Sequence, residues 1–231
     1  MLGPFTYFVW LFGTVIEIYL LVVICGRQSF KRYFWISICS AALLAWTLGS
    51  FVFVHKYGYA SKAFVYYYYY FDALLTVLLY FCVIELYRLV FDELQLARHI
   101  RSFSLLLLIA TAGLSYLVIQ ENKDHLTSRF VIELSQNLYF VGVVLTYVLW
   151  GAVVKLRETR ARLVHLVLSL GIFFSAYAVI YALRNLFPEF ALLRSLPPLV
   201  GTFLPLAWAY TFTRIPEEAR LAPARVAAVH R

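Results

Sequence analysis

Glu17, Asp72, Glu85, Glu133 and Arg184 are ionisable residues inside long apolar runs. In a membrane such a group is costly, so it faces a bundle interior or a water-filled cavity and pairs with another polar group. Spacing sorts these residues into two candidate clusters. In the first, Asp72 and Thr76 share a helix face, as do Glu133, Gln136 and Asn137, and as do Tyr181 and Arg184. Together they would make a ligand-binding site. An arginine among carboxylates and amides can hold a polar or zwitterionic small molecule through charge-assisted hydrogen bonds. The plainer alternative is an ion pair of Arg184 with Glu133 or Asp72 that locks helices together. In the second cluster are Glu17, Glu85 and Arg88. Glu85 and Arg88 are spaced for a local pair, which leaves Glu17 without an obvious partner. Glu17 and Glu85 are the proton-carrying candidates: a lone carboxylate at mid-membrane fits a proton-coupled step, and equally a hydrogen bond between helices.

Other chemistries lack their residues. His55, His99, His125, His165 and His230 fall at the ends of apolar runs, in connections or in the tail, which disfavours haem or an intramembrane zinc centre. The last apolar run, 197–213, contains no lysine for a retinal Schiff base. No G-x-S-x-G, P-loop or H-E-x-x-H pattern occurs. Cys25, Cys39 and Cys82 are too scattered for a disulfide framework or a C-x-x-C site. The expectation is a protein without enzymatic activity, metal or cofactor.

The elements that must position these residues follow from composition. Of 231 residues, 63% are hydrophobic and 14% charged. The mean hydropathy is +0.80. Soluble domains carry roughly 25% charge. Seven runs reach or approach the ~20 residues that cross a bilayer: 4–25, 34–54, 65–91, 103–119, 130–154, 163–187 and 197–213. Each should be a helix, because hydrocarbon offers the backbone no water to pair with. The fold class is therefore all-α, a polytopic bundle of seven transmembrane helices over 1–213. A flexible basic tail, 214–231, is expected after it. The first run lacks a basic leader and is interrupted by Glu17, so it reads as a span and not a cleavable signal.

Orientation follows from the basic residues. Threaded this way, 14 of the 20 lysines and arginines fall on one side and 6 on the other. The richer side should be cytoplasmic, which places the N-terminus outside and the tail inside. The net charge of +8 is then a topology code, and a nucleic-acid partner is not expected. The connections are short and leave no room for a soluble catalytic domain.

Small residues offer packing ridges. These are Ser37, Ala41, Ala45 and Gly49; Gly171, Ser175, Ala178 and Ala182; and Ser104, Thr111 and Ser115. Pro197 and Pro198 suit a helix start, and Pro205 should kink the last helix. Tyr66 to Tyr70 form an unbroken run that suits the membrane interface, and five in a row also point some rings into the bundle.

In span number, direction, size and short connections, ending just after Arg214, the chain resembles the seven-helix sensor region of some bacterial histidine kinases. That resemblance implies a sensory or partner-binding module in a bacterial inner membrane. Its ligand would sit in the outer half, and its basic cytoplasmic connections would meet a signalling partner or a second copy. The direction also matches sugar transporters built as two three-helix units around a linker. Those rely on prolines within each unit, which helices 2, 5 and 6 lack here. Two other functions stay open: a small proton-coupled transporter of a polar solute, and a structural subunit of a membrane complex.

Overall fold

A computed structural model of the chain describes residues 4–26, 30, 32–59, 61–91, 97–119, 126–187 and 192–220. The apolar runs are helical, with the backbone paired internally. Among the described residues there are seven helices: α1 (Pro4–Gly26), α2 (Phe34–Tyr57), α3 (Lys62–Val90), α4 (Ala97–Ile119), α5 (Leu126–Lys155), α6 (Ala161–Leu186) and α7 (Leu192–Arg214). Five are long and apolar enough to cross a membrane: α1 over Tyr7–Gly26, α2, α3, α5 over Phe130–Lys155, and α6. The chain is thus an all-α bundle of the multi-pass membrane kind. Over their described residues α4 and α7 do not meet that measure; the apolar stretch of α4 is Leu105–Leu117.

Helix ends differ from hydropathy limits where local chemistry sets them. α3 begins at Lys62, ahead of the expected 65, because the Ser61 hydroxyl caps it by accepting the Phe64 N–H at 3.1 Å. α7 begins at Leu192, so Pro197 and Pro198 lie within the helix and do not open it.

The helices pack as a ring in chain order. α1 closes it between α2 and α7, and α3 is innermost, touching α2, α4, α5 and α6. α4 lies at the edge, against α3 and α5. Helices consecutive in the chain run antiparallel, so α3 lies parallel to its neighbour α5 and α1 to its neighbour α7, and the helix ends sort into two groups. At one end Arg160, beside the start of α6, donates to the Leu89 carbonyl near the end of α3 at 2.8 Å. At the other, Tyr177 in the last third of α6 donates to the Pro197 carbonyl near the start of α7 at 3.2 Å.

Leu20, Leu79, Tyr80, Leu166, Phe174 and Trp208 fill the interior. The outer surface is also apolar. Leu11 and Val22 of α1, Ile109 of α4 and Val148 of α5 are exposed, as helices facing hydrocarbon require. The α2 ridge is turned differently from its expected role. Ala41 and Ala45 are exposed, whereas Ser37 is buried with Ile36, Cys39, Ser40, Leu43, Thr47 and Ser50. At Gly49 the ridge does admit a close neighbour, the Tyr67 ring of α3. A second close approach is at Gly142 of α5, where any Cβ would strike the enclosed Phe174 ring of α6.

Candidate functional site

Asp72 is the centre of the polar interior. α3 presents it on the buried face that also carries Leu75, Thr76 and Leu79. Its carboxylate accepts the Ser135 hydroxyl of α5 at 2.5 Å. Two longer contacts, from Tyr139 of α5 at 3.4 Å and Tyr181 of α6 at 3.5 Å, complete the shell. The Thr76 hydroxyl donates to the Asp72 carbonyl one turn back at 2.7 Å and meets Ser135 at 3.1 Å. Aromatic rings enclose the group: Tyr139 and Tyr177 stack with centroids 4.7 Å apart, and Tyr181 lies 5.4 Å from Tyr139. One carboxylate therefore ties α3, α5 and α6 together through hydroxyl donors. Such an arrangement can hold three helices in one packing, and it offers polar groups that a ligand could compete for.

Of the seven residues expected to form this site, the structure brings Asp72, Thr76 and Tyr181 together. Asn137 turns the other way and donates to the Ser115 hydroxyl of α4 at 2.9 Å. Glu133 and Gln136 are half-buried and make no described hydrogen bond to Asp72. Arg184 is exposed one turn beyond Tyr181, and no described ion pair joins it to Asp72 or Glu133. The reason is rotational. α5 lies between α3 and α6 on one side and α4 on the other, and each residue step turns a helix by ~100°. The arc carrying Ser135 and Tyr139 meets Asp72, and the arc carrying Asn137 meets α4. Ser135 and Tyr139 were not among the expected residues, and Tyr177, expected on one face with Tyr181 and Arg184, was not joined to the site. Their four-residue spacings, Ser135 to Tyr139 and Tyr177 to Tyr181, were the available signal.

The second expected cluster is two separate sites. Glu17, in the middle of α1, accepts the Thr47 hydroxyl of α2 at 3.2 Å, and its other oxygen is buried without a hydrogen-bond partner among the described residues. Glu85 turns toward the first turn of α2, where it accepts the Trp35 N–H at 3.1 Å and the Ile36 N–H at 3.4 Å. Thr47 is ~18 Å along α2 from that turn. Arg88 is exposed and forms no described ion pair with Glu85. Glu85 acts as an anionic cap on a helix N-terminus contributed by another helix.

At that same end a third polar set forms around the arginines. Arg162, almost fully buried, donates to the Ile215 carbonyl from Nε at 3.0 Å and from Nη2 at 2.7 Å, and approaches Glu217 at 3.5 Å. Arg32 forms an ion pair with Glu217. The Ala161 N–H donates to the Ala219 carbonyl at 3.0 Å. Residues 215–220, the first of the expected tail, are thereby folded back onto the start of α6; 221–231 lie outside the described residues.

The tyrosine run divides by direction. Tyr66 and Tyr70 are exposed and line a groove of about 410 Å³ with Phe53, Phe71 and Leu74. The Tyr67 hydroxyl donates to the Trp46 carbonyl at 3.1 Å, and the Tyr68 ring packs on Trp46. A second groove, about 280 Å³, runs between α5 and α6 past Thr146, Trp150 and Gly171. Neither groove reaches Asp72. No group of three or more metal-ligating side chains occurs among the described residues. Against protein-family models, curated proteins and solved structures, the chain finds no match.

Proposed function

We propose that the chain is a non-enzymatic sensory or partner-binding module of a cell membrane, bacterial inner membrane by its resemblance, with the N-terminus outside. The observation that carries this reading is the Asp72 hub, a single buried carboxylate joined to hydroxyls from two other helices. A polar or zwitterionic solute entering between Tyr181 and Arg184 competes for those hydroxyls and for Asp72. The packing of α3, α5 and α6 then shifts, and the change reaches the arginine-rich end, where a cytoplasmic partner reads it. A ligand can drive such a change only through different affinities for the two packings. The test is a melting-temperature screen of amino acids and other small zwitterions on the purified protein. A stabilising solute whose effect disappears in Arg184→Ala supports the site. One that stabilises both forms equally places the ligand elsewhere.

A second reading, a small proton-coupled transporter of a polar solute, rests on Glu17, one of whose oxygens is buried at the middle of α1 without a hydrogen-bond partner among the described residues. Uptake that survives Glu17→Gln for every solute tested removes it.

A further inference from the structure

The arginine-rich end holds a compact site that the Asp72 reading does not use. Arg32, Tyr33, Leu89, Arg160 and Arg162 converge on one small space, and Glu217 reaches into it from the segment after α7. Glu158 is already committed to Arg160, with hydrogen bonds of 2.6 Å and 2.8 Å. Among the described residues that leaves one carboxylate, Glu217, shared by two guanidinium groups, Arg32 and Arg162. The free volume beside it is about 10 Å³. That is the threshold for a single water, so Glu217 fills the site. Arg162 is fixed beneath, with its side chain 4% exposed, whereas Arg32 at 48% and Glu217 at 36% form the mouth. Beside Arg32, the rings of Phe30 and Phe34 are exposed, with centroids 5.6 Å apart. The arginines thus sit where helices end and apolar rings begin, the level of lipid headgroups in a bundle that spans a bilayer.

We propose that Arg32 and Arg162 form a phosphate-binding site in which Glu217 is a built-in competitor. A phosphate group that enters displaces Glu217 and lifts residues 216–220 off the start of α6. A phosphate oxyanion carries more acceptor oxygens than a carboxylate and up to two charges, so it satisfies the Arg32 guanidinium and the Nη1 of Arg162 together better than one glutamate does, while Nε and Nη2 of Arg162 stay on the Ile215 carbonyl. Displacement breaks the bond from the Ala161 N–H to the Ala219 carbonyl, which makes that amide a local reporter.

The experiment follows hydrogen exchange at Ala161 in the full-length protein reconstituted in nanodiscs. Three conditions are compared: phosphatidylcholine alone, phosphatidylcholine with phosphatidylglycerol, and phosphatidylcholine with added inorganic phosphate. Faster exchange with phosphatidylglycerol and not with inorganic phosphate supports the site with a lipid headgroup as its occupant. Faster exchange with inorganic phosphate supports it with free phosphate. No change in either condition overturns the proposal. Arg32→Gln should raise the concentration needed by about tenfold, the worth of one charge-assisted hydrogen bond. Glu217→Gln should lower it by about tenfold by removing the competitor. An unaltered response in Arg32→Gln would mean that general surface charge attracts the anion, and an unaltered response in Glu217→Gln would mean that nothing is displaced. Either result overturns the proposal, provided the variant melts as the wild type does.

Discussion

Removing the Glu85 carboxylate should destabilise α2 from a distance, because the cap on its first turn comes from α3. The structure gives Glu85 two acceptor contacts there, 3.1 Å to the Trp35 N–H and 3.4 Å to the Ile36 N–H. The first is a full hydrogen bond and the second a weak one. Orphaning one buried donor costs about 1–3 kcal/mol. Losing a negative charge at a partly buried helix N-terminus adds up to ~2 kcal/mol. Relief of the desolvation of Glu85 offsets part of this. Glu85→Ala should therefore cost about 2–3 kcal/mol. Glu85→Gln keeps an acceptor oxygen and loses only the charge, so it should cost ~1 kcal/mol. Arg88→Ala, at an exposed position, should change stability by less than ~0.5 kcal/mol. The assay is reversible unfolding in mixed detergent and denaturing-detergent micelles, with the three variants side by side. A cost under ~0.5 kcal/mol for Glu85→Ala refutes the cap, since that is the scale of an ordinary surface change. Equal costs for the Gln and Ala variants refute the part assigned to the acceptor oxygen.

Three further outcomes are expected. Gly142→Ala places a Cβ against the enclosed Phe174 ring and should cost about 1–3 kcal/mol. Gly49→Ala meets the half-exposed Tyr67, which can swing aside, so it should cost less, and thermal melting ranks the two. Arg162→Met leaves the Ile215 carbonyl without its two donors and should release 215–220, read as faster exchange at Ala161 while exchange inside α6 is unchanged. Glu158 gives a pH dependence: burial pushes its carboxyl up, but hydrogen bonds from Arg160 outweigh this and hold it below the ordinary value of 4.5. Its contribution is then fully present above about pH 4.5 and lost as the pH falls through the lower folded value. The stability difference between wild type and Glu158→Gln should persist down to that pH, and its disappearance at higher pH would contradict the pairing.

The architecture was legible because length and hydropathy alone compel helices in hydrocarbon. What hydropathy could not place were helix ends set by caps. Ser61 starts α3 early, and Glu85 secures α2 from another helix. Helix rotation was the larger gap. Glu133, Gln136 and Asn137 make a convincing polar face, yet α4 lies against part of it, and Asn137 pairs there with Ser115. The neighbouring arc, with Ser135 and Tyr139, reaches Asp72 instead. Which arc faces which neighbour depends on the order of helices around the ring, and spacing along one helix does not contain that. The same holds for Glu85 and Arg88, whose spacing permits a pair that the bundle does not use. The return of 215–220 onto α6 was hidden because its bonds run largely through backbone carbonyls, Ile215 and Ala219 among them, which any residue could supply.

The functional account stands on Asp72 holding α3, α5 and α6 together. Its most direct test is the distance between spin labels at the exposed positions Tyr66, near the start of α3, and Leu186, at the end of α6. The account predicts that Asp72→Asn, which weakens the contacts to Ser135, Tyr139 and Tyr181, broadens that distance distribution and moves it outward. An unchanged distribution, with unchanged melting, would contradict it.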